Sequence, residues 1–132
     1  MTLTLAQASL LAALLLVGLA GFHAALATGA PLGAYAWGGE ISGSLPPRLK
    51  RGSALLAPVI FAMGMVVLVR GAWLYADSTR EMIIPVWCIF VFIVLQVGGA
   101  LRSSSPGEKR IMLPLYVVLA VLLGYIGFGN PA

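Results

Sequence analysis

The side chains able to do chemistry in this chain are few: one histidine, one cysteine and four carboxylates among 132 residues. No two-metal or histidine-rich metal site can be assembled from that inventory within one chain. A Ser-His-acid set would need His23, Glu40 and either Ser42 or Ser44 to converge through a loop fold that the sequence does not specify. Asp77 and Glu81 belong to a different connection. The chemistry open to His23, Gln96 and Tyr116 is therefore hydrogen bonding in a small polar pocket, with Glu40 in reach if its loop folds inward. Each also has a plainer role. A histidine near a helix end can donate to a carbonyl, a buried Gln can make an interhelical hydrogen bond of about 1–2 kcal/mol at most, and a Tyr can sit in the interfacial belt.

The elements that must position these groups are four apolar runs, roughly Leu3–Ala27, Ser53–Leu74, Ile83–Leu101 and Ile111–Phe128. Each meets or approaches the ~20 residues a helix needs to cross ~30 Å of hydrocarbon. At 61% hydrophobic and 9% charged, the chain lies far from the globular norm of about half apolar and a quarter charged. A soluble all-helical protein would carry a polar face at the 3.6-residue period, and Leu10–Val17 and Val86–Leu95 carry none. The expected fold is all-α: one polytopic domain of residues 1–132, a bundle of four transmembrane helices. The first run, with no Lys or Arg in Met1–Leu10, reads as a retained span rather than a signal peptide.

Punctuation within the runs supports their boundaries. Pro58, Pro85 and Pro114 fall near the starts of the second, third and fourth, where proline removes no helical hydrogen bond. Arg70 lies near the end of the second, where a long cation can snorkel to the interface beside Trp73 and Tyr75. Cys88 sits inside the third run, where a thiol behaves as a small buried hydrophobe. In the first run Gln7, Gly18, Gly21 and Ala25 share one face, a small-residue surface suited to packing against a neighbouring helix or another copy.

The connection 28–52 is the most structured text outside the spans. Its first half holds Pro31 and the glycines 29, 33, 38 and 39, with Tyr35 and Trp37 between them. Apolar irregular backbone at membrane depth must be buried in protein or line a cavity. The loop is accordingly either re-entrant over the bundle end or interfacial among headgroups. The glycines match neither dinucleotide nor P-loop spacing. The second half brings Arg48, Lys50 and Arg51 to the membrane edge, candidates for lipid headgroups and equally the charges that set topology. The net charge of +4 has this juxtamembrane origin, so nucleic acid is not an expected partner.

Counting Lys and Arg places connections one and three, with three each, in the cytoplasm, against Arg70 and Arg80 in the second; both termini then face outward. His23, Gln96 and Tyr116 all fall in the half of the bilayer beneath the first loop. Candidate ligand-binding residues are thus His23, Tyr35, Trp37, Glu40, Gln96 and Tyr116, with no catalytic residue, metal or cofactor expected.

The series His23, Gly29-x-Pro31-x-Gly33, Gly38-Gly39 and Leu45-Pro46, followed by Lys109-Arg110 and Met112-Leu113-Pro114, resembles a group of short bacterial four-span membrane proteins of unassigned function. The resemblance covers nearly the whole chain. It implies the four-helix fold and a bacterial cytoplasmic membrane, and it implies no activity. The function expected is non-enzymatic binding of a lipid, a hydrophobic small molecule or a membrane partner at the loop-capped end. Partners would be membrane lipids, further copies of the chain or a larger membrane complex. The alternatives are an oligomeric small-solute channel or transporter, and a lipid-modifying enzyme using His23.

Overall fold

In a computed structural model that describes residues 4–31, 33, 43, 46–102, 106 and 108–129, four long apolar helices make up the bundle. They are α1 (Leu5–Ala27), α2 (Pro47–Arg70), α3 (Ile83–Leu101) and α4 (Leu113–Phe128). Two short 3-10 turns, Ala76–Ser78 and Arg80–Met82, lead into α3, and a wider π-type turn, Glu108–Met112, leads into α4. With those turns, each of the four is long and apolar enough to cross a membrane.

The helix starts follow local chemistry. Thr4 and Gln7 form a reciprocal capping box on α1: the Thr4 hydroxyl accepts from the Gln7 amide, and the Gln7 side chain accepts from the Thr4 amide, each at 3.1 Å. Gln7 is therefore a cap and not a packing residue. Helix α2 starts at Pro47, six residues before the expected Ser53, because proline suits the first turn. Pro58 consequently lies in the helix interior, where the neighbouring helices of a membrane bundle make the lost hydrogen bond tolerable. Helix α2 also stops at Arg70, short of the expected Leu74.

Both helices of this first hairpin close with the same hydrogen-bonded stop. After α1, the amides of Gly29 and Ala30 donate to the carbonyls of Leu26 and Ala25; after α2, those of Ala72 and Trp73 donate to Val69 and Leu68. This is the Schellman pattern, which needs a left-handed residue just past the cap. Gly29 supplies it at φ 103°, whereas Ala72 adopts φ 66° despite its Cβ. The right-hand preference of L-residues is overridden there, at a local cost.

Neighbouring helices run antiparallel. The Trp73 indole, beyond the end of α2, donates to the Ala6 carbonyl at the start of α1 at 2.8 Å. The ring of Trp87, near the start of α3, packs edge-on against Phe128 at the end of α4, with centroids 4.9 Å apart. Helix α1 buries Ala8, Ser9, Ala12, Ala13, Leu16, Leu19, Ala20, His23 and Leu26, a stripe at helical spacing rich in alanine. Small side chains let the backbones approach: a Cβ at Gly64 of α2 would sit 3.4 Å from Val17 Cγ2 and 3.6 Å from the Ala13 carbonyl. Gly18 and Gly21, read as a packing face, are exposed, and a Cβ on either would meet nothing within 4 Å. Cys88, expected as a small buried hydrophobe, is likewise exposed on α3.

Candidate functional site

The end of the bundle formed by the close of α1 and the opening of α2 holds His23, a predicted site residue whose polar partner lies on another helix. His23 lies four residues before the end of α1, and Ser53 lies six residues after the start of α2. The antiparallel hairpin brings these two depths together. Their Nδ1 and Oγ atoms are 3.4 Å apart, with the donor set by the imidazole tautomer. His23 is 7% exposed and Ser53 fully buried. Phe22 packs edge-on to the imidazole at 5.5 Å, so the pair is enclosed by apolar surface.

Above this pair, the turn that ends α1 meets the basic start of α2. Gly29 is favoured there by its φ of 103°, which disfavours any side chain, and it lies beside Lys50, whose Nζ would be 3.7 Å from a Cβ at this position, an ordinary contact. Thr28 ties down the same turn by donating its hydroxyl to the Ala25 carbonyl at 2.9 Å. The amide of Gly33 donates to the carbonyl of Gly43 at 2.9 Å, so the first loop closes on itself across ten residues. Gly33 is buried.

The three cations are not on a loop, as their place before the second run suggested. Arg48, Lys50 and Arg51 occupy the first five residues of α2 and project from a helix turn. Arg48 and Arg51 are exposed and Lys50 is half-buried; Arg51 Nε donates to the Pro47 carbonyl at 3.5 Å. Pro46 and Pro47 contribute no amide protons, so the side chains and not the helix terminus supply the donors for an anion.

Tyr116 is buried at the start of α4 and Gln96 is half-buried on α3. Among the described residues no hydrogen bond joins either of them to His23, whose partner is Ser53. Tyr35, Trp37 and Glu40 lie outside the described residues. Ser53 is the member that the sequence reading missed. Its signal was hidden by the boundary, because Ser53 read as the first residue of its run lies at the membrane edge, and only the earlier start of α2 at Pro47 carries it inward toward the depth of His23.

Arg70 overturns the snorkelling reading. It is fully buried at the opposite end, donating from Nη1 to Thr79 Oγ1 at 3.1 Å and from Nη2 to the Gly129 carbonyl. A snorkelling arginine keeps its head in water; here protein encloses the head and binds three segments together.

No group of His, Cys, Asp and Glu among the described residues could hold a metal ion. Comparison with known proteins gives no matching family model, no matching curated protein and no matching solved structure.

Proposed function

We propose that this chain is a small non-enzymatic multi-pass protein of the bacterial cytoplasmic membrane that holds an anionic lipid headgroup at the end where α1 closes and α2 begins. The membrane assignment rests on the resemblance given above, and the ligand rests on charge. The observation that carries the reading is the placement of Arg48, Lys50 and Arg51 on the first turns of α2, beside the Gly29 turn, with the enclosed His23–Ser53 pair beneath them. Arg102, Lys109 and Arg110, all exposed, belong to the same end. Juxtamembrane cations gain roughly 1 kcal/mol each from an anionic leaflet.

The burial of Arg70 also supports the orientation. With its charge enclosed, the second connection presents only Arg80 to the membrane edge, against three cations in each of the other two. That strengthens the bias for connections one and three on the cytoplasmic side. A lipid-modifying role for His23 gains no comparable support, because its hydroxyl partner Ser53 is fully buried and withheld from an external substrate.

Native mass spectrometry of the protein released from nanodiscs of mixed phosphatidylglycerol and phosphatidylethanolamine tests the reading. The expected result is selective retention of the anionic lipid, reduced about tenfold or more in the triple variant R48Q/K50Q/R51Q with helicity intact. Equal retention of both lipids by the unaltered protein overturns it.

A further inference from the structure

The other end of the bundle contains a cation that headgroup binding does not use. Arg70 closes α2 with its guanidinium fully buried, and a buried charge is costly unless it is both hydrogen-bonded and compensated. Its partners are neutral. Nη1 donates to the Thr79 hydroxyl, Nη2 donates to the Gly129 carbonyl, and the Thr79 hydroxyl donates back to the Arg70 carbonyl. Nε is buried and has no partner among the described residues. Asp77 and Glu81, the acids nearest in the chain, are exposed.

A second unmatched group lies on α1, packed against the residue that follows Arg70. Ser9 Oγ is buried and also lacks a partner among the described residues. Ser9 presses against Gly71, the residue after Arg70, so closely that a Cβ there would overlap its side chain. One turn earlier on the same face of α1, Leu5 meets Gly129, whose carbonyl receives Arg70: a Cβ on Gly129 would lie 2.9 Å from Leu5 Cδ1. The start of α1 and the ends of α2 and α4 thus bring together a buried cation with no acidic partner among the described residues and two buried donors, Arg70 Nε and Ser9 Oγ, that have no partner there either.

We propose that this corner binds a halide-sized monoanion, chloride, between the Nε–H of Arg70 and the hydroxyl of Ser9. One enclosed positive charge is balanced by one negative charge. Each terminal nitrogen spends one of its two N–H groups on Thr79 or Gly129, and a carboxylate or phosphate would have to bring its whole framework into a corner whose unmatched atoms are shut off from solvent, whereas a halide brings a single atom. A halide accepts from single donors in any direction. Bound there, it neutralises Arg70 and ties together three helix ends, so it stabilises the folded bundle by mass action.

Thermal unfolding of the full chain in mild non-ionic detergent, with sodium chloride exchanged for sodium gluconate at constant ionic strength, separates binding from screening. The expected result is a saturable rise of several degrees in Tm with chloride or bromide and none with gluconate. Ser9→Ala, which keeps the charge and removes one donor, should raise the chloride concentration at half-effect about fivefold. Arg70→Gln should abolish the response; should it fail to fold, Ser9→Ala still decides the matter. Bromide-soaked crystals should show an anomalous peak between Arg70 Nε and Ser9 Oγ. Identical Tm values in chloride and gluconate, or a chloride response unchanged by Ser9→Ala, overturn the proposal.

Discussion

His23 and Ser53 face each other across the α1–α2 contact, 3.4 Å from Nδ1 to Oγ, thirty residues apart in the chain and both enclosed. The pair is an interhelical hydrogen bond in a setting where membrane-protein measurements average about 0.6 kcal/mol. A double-mutant cycle with Ser53→Ala and His23→Ala, followed by reversible unfolding in mixed micelles, should return a coupling energy near that value. Zero coupling would show that the two side chains share space without sharing a bond.

The two Schellman stops invite opposite substitutions. Ala72 holds φ 66° where Gly29 holds φ 103° in the equivalent place. Ala72→Gly removes the steric cost of the left-handed conformation, partly offset by greater backbone freedom in the unfolded chain, and should stabilise by about 0.5–1 kcal/mol. Gly29→Ala should destabilise by a similar amount. Unfolding midpoints of the two variants check the signs, and a loss of stability in Ala72→Gly would refute the account of strain.

Two glycines of α4 should respond in opposite directions to alanine. At Gly127 a new Cβ would lie 2.6 Å from Trp87 Cε2 and 2.8 Å from Cζ2, forcing the ring away from Phe128. At Gly124 the nearest atom, Phe90 Cε2, would be 3.6 Å away, an ordinary contact. Gly127→Ala should therefore cost about 1–3 kcal/mol, while Gly124→Ala should gain up to about 1 kcal/mol of helix propensity. Tryptophan fluorescence gives a second readout, since only the first change displaces Trp87.

The indole of Trp73 holds the loop after α2 against the start of α1 through the Ala6 carbonyl. Trp73→Phe keeps most of the ring and loses that bond. Amide exchange should accelerate in residues 71–75 with little change near His23, because the bond acts at one end only. Uniform acceleration along the bundle would instead make Trp73 a global support.

The sequence by itself determined the four helices, their order and the end at which the basic residues collect. A run of about twenty apolar residues has one economical state in hydrocarbon, the helix, and short connections leave neighbours antiparallel. It also carried the first stop, through Gly29, but not the second, which the apolar text of residues 71–74 hid and which Ala72 makes at φ 66°. Only the tertiary structure decided which face of each helix looks inward. In lipid, leucine is as well solvated outside as inside, so hydrophobicity does not orient a helix and close backbone approach does. The alanines of α1 are buried on that principle, whereas Gly18 and Gly21, equally small, face outward, a choice made by where the neighbouring helices pack. The same physics hid the polar contacts: Arg70 reads as an interfacial cation until Thr79 and Gly129, nine and fifty-nine residues away, are seen to close over it.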